Sequence, residues 1–158
     1  KMKIKKKYYT WSDVEKMCVS IVNQMYADNW KPDYIVGITR GGNVPATIIS
    51  NMTGIKCRAL DVSFRDGGEV ISDNGMKADA HAGKKILIVD DINDTGATFQ
   101  WISNDWNLNN IDNVKFATLT NNLASEFDAQ GYHCDEVNKS EEDVWLVYPW
   151  ENVGSYDD

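Results

Sequence analysis

The 158-residue sequence contains few of the residues that build metal centres, disulfide frameworks or nucleophilic triads. Its two histidines, His81 and His133, lie far apart, which leaves little support for a zinc site or a Ser-His-Asp triad. The three cysteines, Cys18, Cys57 and Cys134, are odd in number and lack metal-ligand spacing. We therefore expect them to be reduced, buried thiols in a cytoplasmic protein.

Long apolar runs and an excess of positive charge are also missing. No apolar segment approaches the roughly 20 residues of a membrane span, so we expect no membrane partner. The net charge of −8 disfavours a general nucleic-acid binder, because such proteins present a basic face. The exception is the N-terminal KMKIKKK, with five lysines in seven residues, which indicates a solvated tail or an edge strand.

The hydrophobic pattern predicts one domain, residues 1–158, in which strands alternate with helices. Helices are expected after Ser12, where Ser12–Glu15 has the form of a capping box, and from near Asn43 to Gly54. A third helix presents Phe99, Ile102 and Trp106 on one face. Strands are expected at 34–38, 55–63, 86–89, 114–120 and 144–148. This order predicts an α/β fold, a mainly parallel twisted sheet flanked by helices, with ligands bound beyond the carboxyl ends of the strands.

The most informative segment is ILIVDDINDTGAT, residues 86–98. Its apolar strand runs into two adjacent carboxylates, Asp90 and Asp91, which repel each other and gain little unless a ligand is bound. The small, hydroxyl-rich turn from Asp94 to Thr98 then opens a helix, where free backbone N–H groups and the helix dipole favour an anion. The segment predicts a phosphate cradle beside a carboxylate pair suited to ribose hydroxyls or a metal.

Two further segments carry weaker signals. Thr39-Arg40-Gly41-Gly42 follows another predicted strand, where glycines permit close backbone approach to a pyrophosphate and the arginine can neutralise it. The stretch WLVYPWE, residues 145–151, would by itself be taken for an edge strand with surface aromatics.

Together these segments resemble type I phosphoribosyltransferases over nearly the whole chain. Residues 90–98 resemble the phosphoribosyl-diphosphate (PRPP) motif of that family, and residues 39–42 resemble its pyrophosphate loop. In that loop the peptide bond that enters the arginine, here Thr39–Arg40, is often cis. Residues 145–151 resemble the C-terminal hood of the short bacterial xanthine-guanine enzymes. The resemblance implies a type I phosphoribosyltransferase fold with a hood formed largely by residues 144–158.

The resemblance implies transfer of a 5-phosphoribosyl group from PRPP to a nucleobase, with release of pyrophosphate, in purine salvage. The implied base is a 6-oxopurine: xanthine, guanine or hypoxanthine. The implied PRPP-binding residues are Asp90, Asp91, Asp94, Thr95, Gly96, Ala97 and Thr98, and the pyrophosphate-binding residues are Thr39, Arg40, Gly41 and Gly42. Asp94 is the implied catalytic proton acceptor. Magnesium is the implied cofactor, held by Asp90, Asp91 and Glu151, and a homo-oligomer (dimer or tetramer) is expected.

For the base, the resemblance implies stacking on Trp145, contacts from the Leu146 backbone and a role for Glu151, which stands where the family has an aspartate. Asn122 matches the position of a lysine that meets the purine 6-oxo group, so a transferase for a different base remains open. A second alternative is a non-catalytic PRPP-sensing regulator. The polar stretch 64–83, with four glycines and no periodicity, predicts a lid.

Overall fold

The computed structural model describes residues 4–62, 73–127 and 131–156. Within these ranges, strands and helices alternate along most of the chain. In chain order they are β1 (Lys5–Tyr8), α1 (Trp11–Ala27), β2 (Tyr34–Thr39), α2 (Asn43–Thr53), β3 (Lys56–Asp61), α3 (Met76–His81), β4 (Ile86–Asn93), α4 (Ala97–Asp105), β5 (Val114–Asn122), β6 (Gly131–Val137) and β7 (Val144–Val147).

The main sheet has the strand order β3-β2-β4-β5-β6, and all of its strand pairs are parallel. This confirms the predicted α/β class. The chain reverses its direction of travel across the sheet between β2 and β4, so the loops after these two strands diverge there. Crevices at such switch points are where ligands bind in open parallel sheets.

Alternating side chains of β4 build a separate core on each face of the sheet. Leu87 and Val89 join the cluster that contains the buried residues of α1 and α2. Ile86 and Ile88 join the cluster that contains those of α3 and α4. Successive side chains of a strand point to opposite sides of the sheet, so a strand of consecutive apolar residues must be covered on both faces. The central position of β4 therefore follows from its own sequence.

A second, two-stranded parallel sheet joins β1 to β7, so the lysine-rich start of the chain is an edge strand. All four residues of β1 are exposed. Val144 and Leu146 of β7 are buried in the same cluster as α1 and α2, which fixes this small sheet on the body of the domain. No helix among the described residues has both the length and the apolar character that a membrane crossing requires.

Several element boundaries differ from those expected. The cap of α1 is Thr10, whose hydroxyl accepts from the Asp13 N–H while the Asp13 carboxylate accepts from the Thr10 N–H, so the capping box lies two residues before the predicted one. Strand β4 continues to Asn93 because its last residues pair with β5. Strand β6 was not predicted, since its mixed sequence GYHCDEV lies at the sheet edge and is largely partly exposed.

Two other predictions need correction. Of the three free cysteines, Cys18 is buried, but Cys57 is exposed and Cys134 is only partly buried. Of the predicted lid, residues 64–72 lie outside the described residues. Residues 76–81 form helix α3, where Met76 and Ala80 pack into the core. A helix of this length buries only two positions, which is too few to produce a recognisable period in the sequence.

Candidate active site

The two predicted loops meet at the switch point. Gly42 approaches β4 so closely that a Cβ atom there would lie 2.2 Å from the Val89 carbonyl oxygen and 2.9 Å from the Asp90 Cα. A Cβ atom at Gly41 would lie 2.1 Å from Asp91 Oδ2. Only glycine fits these contacts without displacement, so the Thr39–Gly42 loop lies directly against the acidic pair.

The peptide bond between Thr39 and Arg40 is cis, as the family resemblance implied. The loop that follows it forms one wall of a cavity of about 650 Å³. The remaining walls come from the acidic segment and from the chain after β7; the lining residues are Arg40, Gly41, Val44, Asp91, Trp150, Glu151 and Val153. One cavity thus brings together the predicted pyrophosphate loop, one predicted ribose-binding carboxylate and the predicted hood.

The acidic pair is partly buried and held by backbone groups. Asp90 Oδ1 accepts from the Asp91 N–H at 2.9 Å, and Asp91 Oδ1 accepts from the Ile92 N–H at 2.8 Å. Burial, followed by repulsion from Asp91, raises the pKa of Asp90 well above its ordinary value, and burial also raises the pKa of Asp91. The pair therefore favours ligands that compensate its negative charge, such as a cation or hydroxyl donors.

The turn after β4 has the geometry of an anion site. Gly96 adopts a positive φ of 91° and precedes α4, whose first backbone hydrogen bond runs from the Gln100 N–H to the Gly96 carbonyl at 2.9 Å. The Ala97 N–H donates to Thr95 Oγ1 at 3.2 Å. Residues 90–99 line a cavity of about 190 Å³ around this turn, so the helix start opens onto a space next to the carboxylates.

A neighbouring segment that the sequence did not point to packs on this turn. A Cβ atom at Gly96 would lie 2.6 Å from the Phe127 Cβ and 2.7 Å from Ser125 Oγ, and the Glu126 N–H donates to the Thr95 carbonyl at 3.0 Å. The stretch after β5 thereby forms the far wall of a cavity of about 460 Å³ that also contains Asp94. Its sequence carries no motif, and its position depends on the β4–β5 pairing.

The structure places Asn122 against Asp94 and on the wall of the same cavity. Its Nδ2 group donates to the Asp94 carbonyl at 2.9 Å and lies 3.4 Å from Asp94 Oδ1. Its Oδ1 atom accepts from the N–H groups of Ala124 and Lys139. The side chain is buried and both ends of its amide are bonded, so Asn122 helps to hold Asp94 in place, while its predicted contact with a base stays a prediction.

The hood is anchored by buried aromatic residues and leaves one indole exposed. Tyr148 stacks on Tyr9, with ring centroids 5.1 Å apart, and on Trp150, with centroids 4.9 Å apart. Trp145 lies on β7 between the buried Val144 and Leu146, and 59% of its surface is accessible. An exposed indole on a rigid strand can stack on a planar ring.

A family model described as the phosphoribosyl transferase domain matches residues 5–149. The chain belongs to this family. This confirms the predicted resemblance and the prediction of a phosphoribosyltransferase.

Named relatives and a solved structure cover nearly the same length. The chain is 25% identical to xanthine phosphoribosyltransferase 1 of Saccharomyces cerevisiae, over 91% of this chain and 88% of that protein. It is 26% identical to the xanthine-guanine phosphoribosyltransferase of Idiomarina loihiensis, over 91% and 86% of the two chains. The crystal structure of a purine phosphoribosyltransferase from Pyrococcus horikoshii superposes with a TM-score of 0.72 at 23% identity, covering 98% of this chain and 99% of that one. That likeness shows the fold.

The acidic pair of this phosphoribosyltransferase has the chemistry of a magnesium site. Magnesium is commonly held by one or two carboxylates, with water and phosphate oxygens completing its shell, and Asp90 with Asp91 provides such a pair. Within the described ranges, no group of three or more His, Cys, Asp or Glu side chains could hold a metal ion. The Glu151 carboxylate accepts from the Tyr148 N–H at 3.1 Å, and its predicted part in holding a metal stays a prediction.

Proposed function

We propose that this protein transfers the 5-phosphoribosyl group of PRPP to a 6-oxopurine (xanthine, guanine or hypoxanthine) and releases pyrophosphate, as a step of purine salvage. The observation that carries the proposal is the contact of the Gly41–Gly42 backbone with the acidic pair at the switch point. This contact would bring a pyrophosphate group and a ribose ring to one place. The names of the yeast and Idiomarina relatives support the choice of base.

In this proposal the chain binds PRPP at both of its charged ends. The backbone N–H groups of residues 95–98, with the hydroxyls of Thr95 and Thr98, bind the 5-phosphate. The Arg40 guanidinium and the Gly41–Gly42 backbone bind the pyrophosphate, whose negative charge grows as it leaves. Asp90 and Asp91 bind the ribose hydroxyls, directly or through magnesium. A bound magnesium ion would neutralise charge on the pyrophosphate.

The base binds between the hood and Asp94. Trp145 stacks on the purine ring, while the Leu146 backbone and Glu151 contact its edge. The transition state at the anomeric carbon is oxocarbenium-like, so catalysis consists mainly of alignment and charge stabilisation. Asp94 accepts a proton from the purine imidazole ring as the new bond forms, a task for which a positioned carboxylate is suited.

The test is an assay with PRPP, magnesium and a panel of guanine, xanthine, hypoxanthine and adenine, with pyrophosphate release and nucleotide formation measured together. We expect turnover with at least one 6-oxopurine and little with adenine. Turnover with another base alone would indicate a transferase of different specificity. PRPP binding without turnover on any base would favour the sensing role instead. A homo-oligomeric state and a cytoplasmic location stay predictions.

A further inference from the structure

We propose that Lys139 is a specificity-determining residue, which selects bases that carry an exocyclic oxygen by acting together with Asp94. This inference rests on the proposed function, because it assumes that the base meets Asp94. The lysine lies on the loop between β6 and β7, outside every motif described above.

The ammonium group of Lys139 is in direct contact with the candidate proton acceptor. Its Nζ atom lies 3.0 Å from Asp94 Oδ1, and 26% of the lysine side chain is accessible, against 44% of the aspartate side chain. Among the ion pairs of the described residues, this is the one that reaches the acidic segment 90–98. The lysine side chain is thus largely shielded from solvent, and its ammonium lies beside the candidate proton acceptor.

Asn122 holds both members of the pair in register. Its Oδ1 atom accepts from the Lys139 N–H at 3.0 Å, and its Nδ2 group donates to the Asp94 carbonyl at 2.9 Å. The loop itself forms a tight turn around Lys139, because the Asn138 carbonyl oxygen accepts from the N–H groups of Glu141 and Glu142. The buried Asn122 amide ties the two backbones together, so it fixes the point from which the lysine side chain extends toward Asp94.

The pair offers a hydrogen-bond acceptor and a donor side by side. Both contacts to the Asp94 carboxylate engage Oδ1, and in the described part of the chain no hydrogen bond or ion pair is made to Oδ2. The Lys139 ammonium has three N–H donors, so two remain after the contact with Asp94. The free carboxylate oxygen can accept a proton or an N–H, while the ammonium can donate to an oxygen next to it.

This arrangement matches one edge of a 6-oxopurine. On guanine the N7 atom and the O6 oxygen are neighbours, whereas adenine carries an amino donor in place of O6. Asp94 Oδ2 would accept the N7-bound proton, and Lys139 would donate to O6. An amino group at that position would face the ammonium with its own hydrogens, so that two donors would be opposed.

The test compares Lys139→Met, which keeps the length of the side chain, with Lys139→Arg, which keeps the charge. Lys115→Met is the matched control, because Lys115 lies 3.0 Å from Asp28 Oδ2 and has the same 26% accessibility, but is placed near the start of β5. Two quantities are measured for each variant: kcat/KM for guanine and for adenine, and the dissociation constants of GMP and AMP.

We expect Lys139→Met to lower the preference for guanine over adenine, and for GMP over AMP, by about 10- to 100-fold, the effect of losing one hydrogen bond to a charged group. Lys139→Arg should retain most of the preference, and Lys115→Met should retain all of it. A role for Lys139 in holding Asp94 alone would lower the constants for every base by one factor and leave the ratios unchanged, and that result would overturn the proposal.

The failure of the proposed function has a different signature. If the wild-type protein released no pyrophosphate with any base, the transferase assignment would be lost. The nucleotide-binding ratios would still decide the role of Lys139. If the ratio of the GMP and AMP dissociation constants were the same in the wild type and in Lys139→Met, selection by this residue would be rejected. If the wild type preferred GMP and only Lys139→Met lost that preference, selection by this residue would be supported.

Discussion

The hydroxyl group of Tyr148 donates a hydrogen bond to the backbone carbonyl oxygen of Asp91, at 3.0 Å. The same hydroxyl is 2.9 Å from Thr120 Oγ1, and the tyrosine is 2% exposed. Burial raises the pKa of Tyr148 above its ordinary value, so the donor stays protonated through the neutral range. Tyr148 directly follows β7, and Asp91 belongs to the acidic pair, so this bond joins the hood to the candidate ribose site.

We expect Tyr148→Phe to lower the free energy of unfolding by about 1–3 kcal/mol, because the buried partners of the hydroxyl lose a hydrogen bond. The KM for PRPP should rise as well, since the backbone at Asp91 loses its anchor. Urea unfolding and steady-state kinetics measure the two effects. Tyr26→Phe is the control, because Tyr26 is 51% exposed on α1. Equal unfolding free energies for the two variants would show that the bond is not a stabilising link.

Alanine substitutions at two adjacent glycines should separate stability from ligand binding. Gly42→Ala sets a Cβ atom against the backbone of β4 at 2.2 Å, so we expect destabilisation of about 1–3 kcal/mol or more from overpacking. Gly41→Ala meets the movable Asp91 carboxylate instead, so the variant should fold and bind PRPP more weakly. Gly154→Ala, where a Cβ atom meets nothing within 4 Å, is the control. Thermal melts and PRPP titrations would distinguish the three variants, and identical melts for Gly41→Ala and Gly42→Ala would contradict this expectation.

Asp94→Asn should lower kcat by about 10²–10⁴-fold and leave PRPP affinity nearly unchanged, since it removes a positioned acid-base group and not the phosphate cradle. The backbone bond from Asn122 to the Asp94 carbonyl does not depend on the side chain. Asp105→Asn, at the exposed end of α4, is the control. Turnover of Asp94→Asn near the wild-type rate would exclude Asp94 as the proton acceptor.

Asp90→Asn should stabilise the ligand-free protein at neutral pH. The folded-state pKa of Asp90 is raised above its ordinary value near 3.8, which means that the folded state favours the protonated carboxyl group. The stability that this preference provides is lost as the pH rises through the folded-state pKa and the group ionises. We expect a gain in Tm of roughly 2–4 °C at pH 7–8, equivalent to about 1 kcal/mol, which disappears as the pH approaches 4. PRPP binding should weaken in the same variant.

Asp28→Asn is the control of opposite sign for this experiment. The Lys115 and Tyr132 side chains hydrogen-bond Asp28 and lower its pKa, so its stabilisation is present above the ordinary pKa and lost as pH falls. Its substitution should lower Tm at neutral pH and have a shrinking effect in acid. A Tm for Asp90→Asn that is below that of the wild type at every pH would contradict the assignment of a raised pKa.

Trp145→Ala should weaken binding of all accepted purines by similar factors, about 1–3 kcal/mol, because stacking depends on the ring face and not on its substituents. Specificity constants for guanine, xanthine and hypoxanthine measure this loss. Tyr26→Ala removes an aromatic ring of comparable exposure from α1 and should leave all three constants unchanged. Unchanged constants in Trp145→Ala would remove the hood from the base site.

Local signals predicted much of the architecture. The apolar residues of β2 and β4 identify buried strands, and Gly54, with a φ of 74°, ends α2 where the sequence predicts. The glycines at 41 and 42 and the acidic pair were expected at strand ends, and the sheet order brings them together. Such signals are readable because each is created by residues adjacent in the chain, whose periodicity or backbone freedom already restricts the conformation.

The remaining features were decided by contacts between distant residues. The sequence by itself determined the α/β class, the turn at residues 94–98 that opens a helix, and the carboxylate pair at the end of a strand. The tertiary structure alone decided that β6 forms the sheet edge, that Asn122 donates to the Asp94 carbonyl, and that Lys139 lies beside Asp94. The physical reason is that the hydrogen-bonding capacity of a side chain is known from its type, but its partners are set by packing. The type of the Asn122 side chain does not reveal that it bonds to the backbones of Asp94 and Lys139; the packing of the β6–β7 loop decides this.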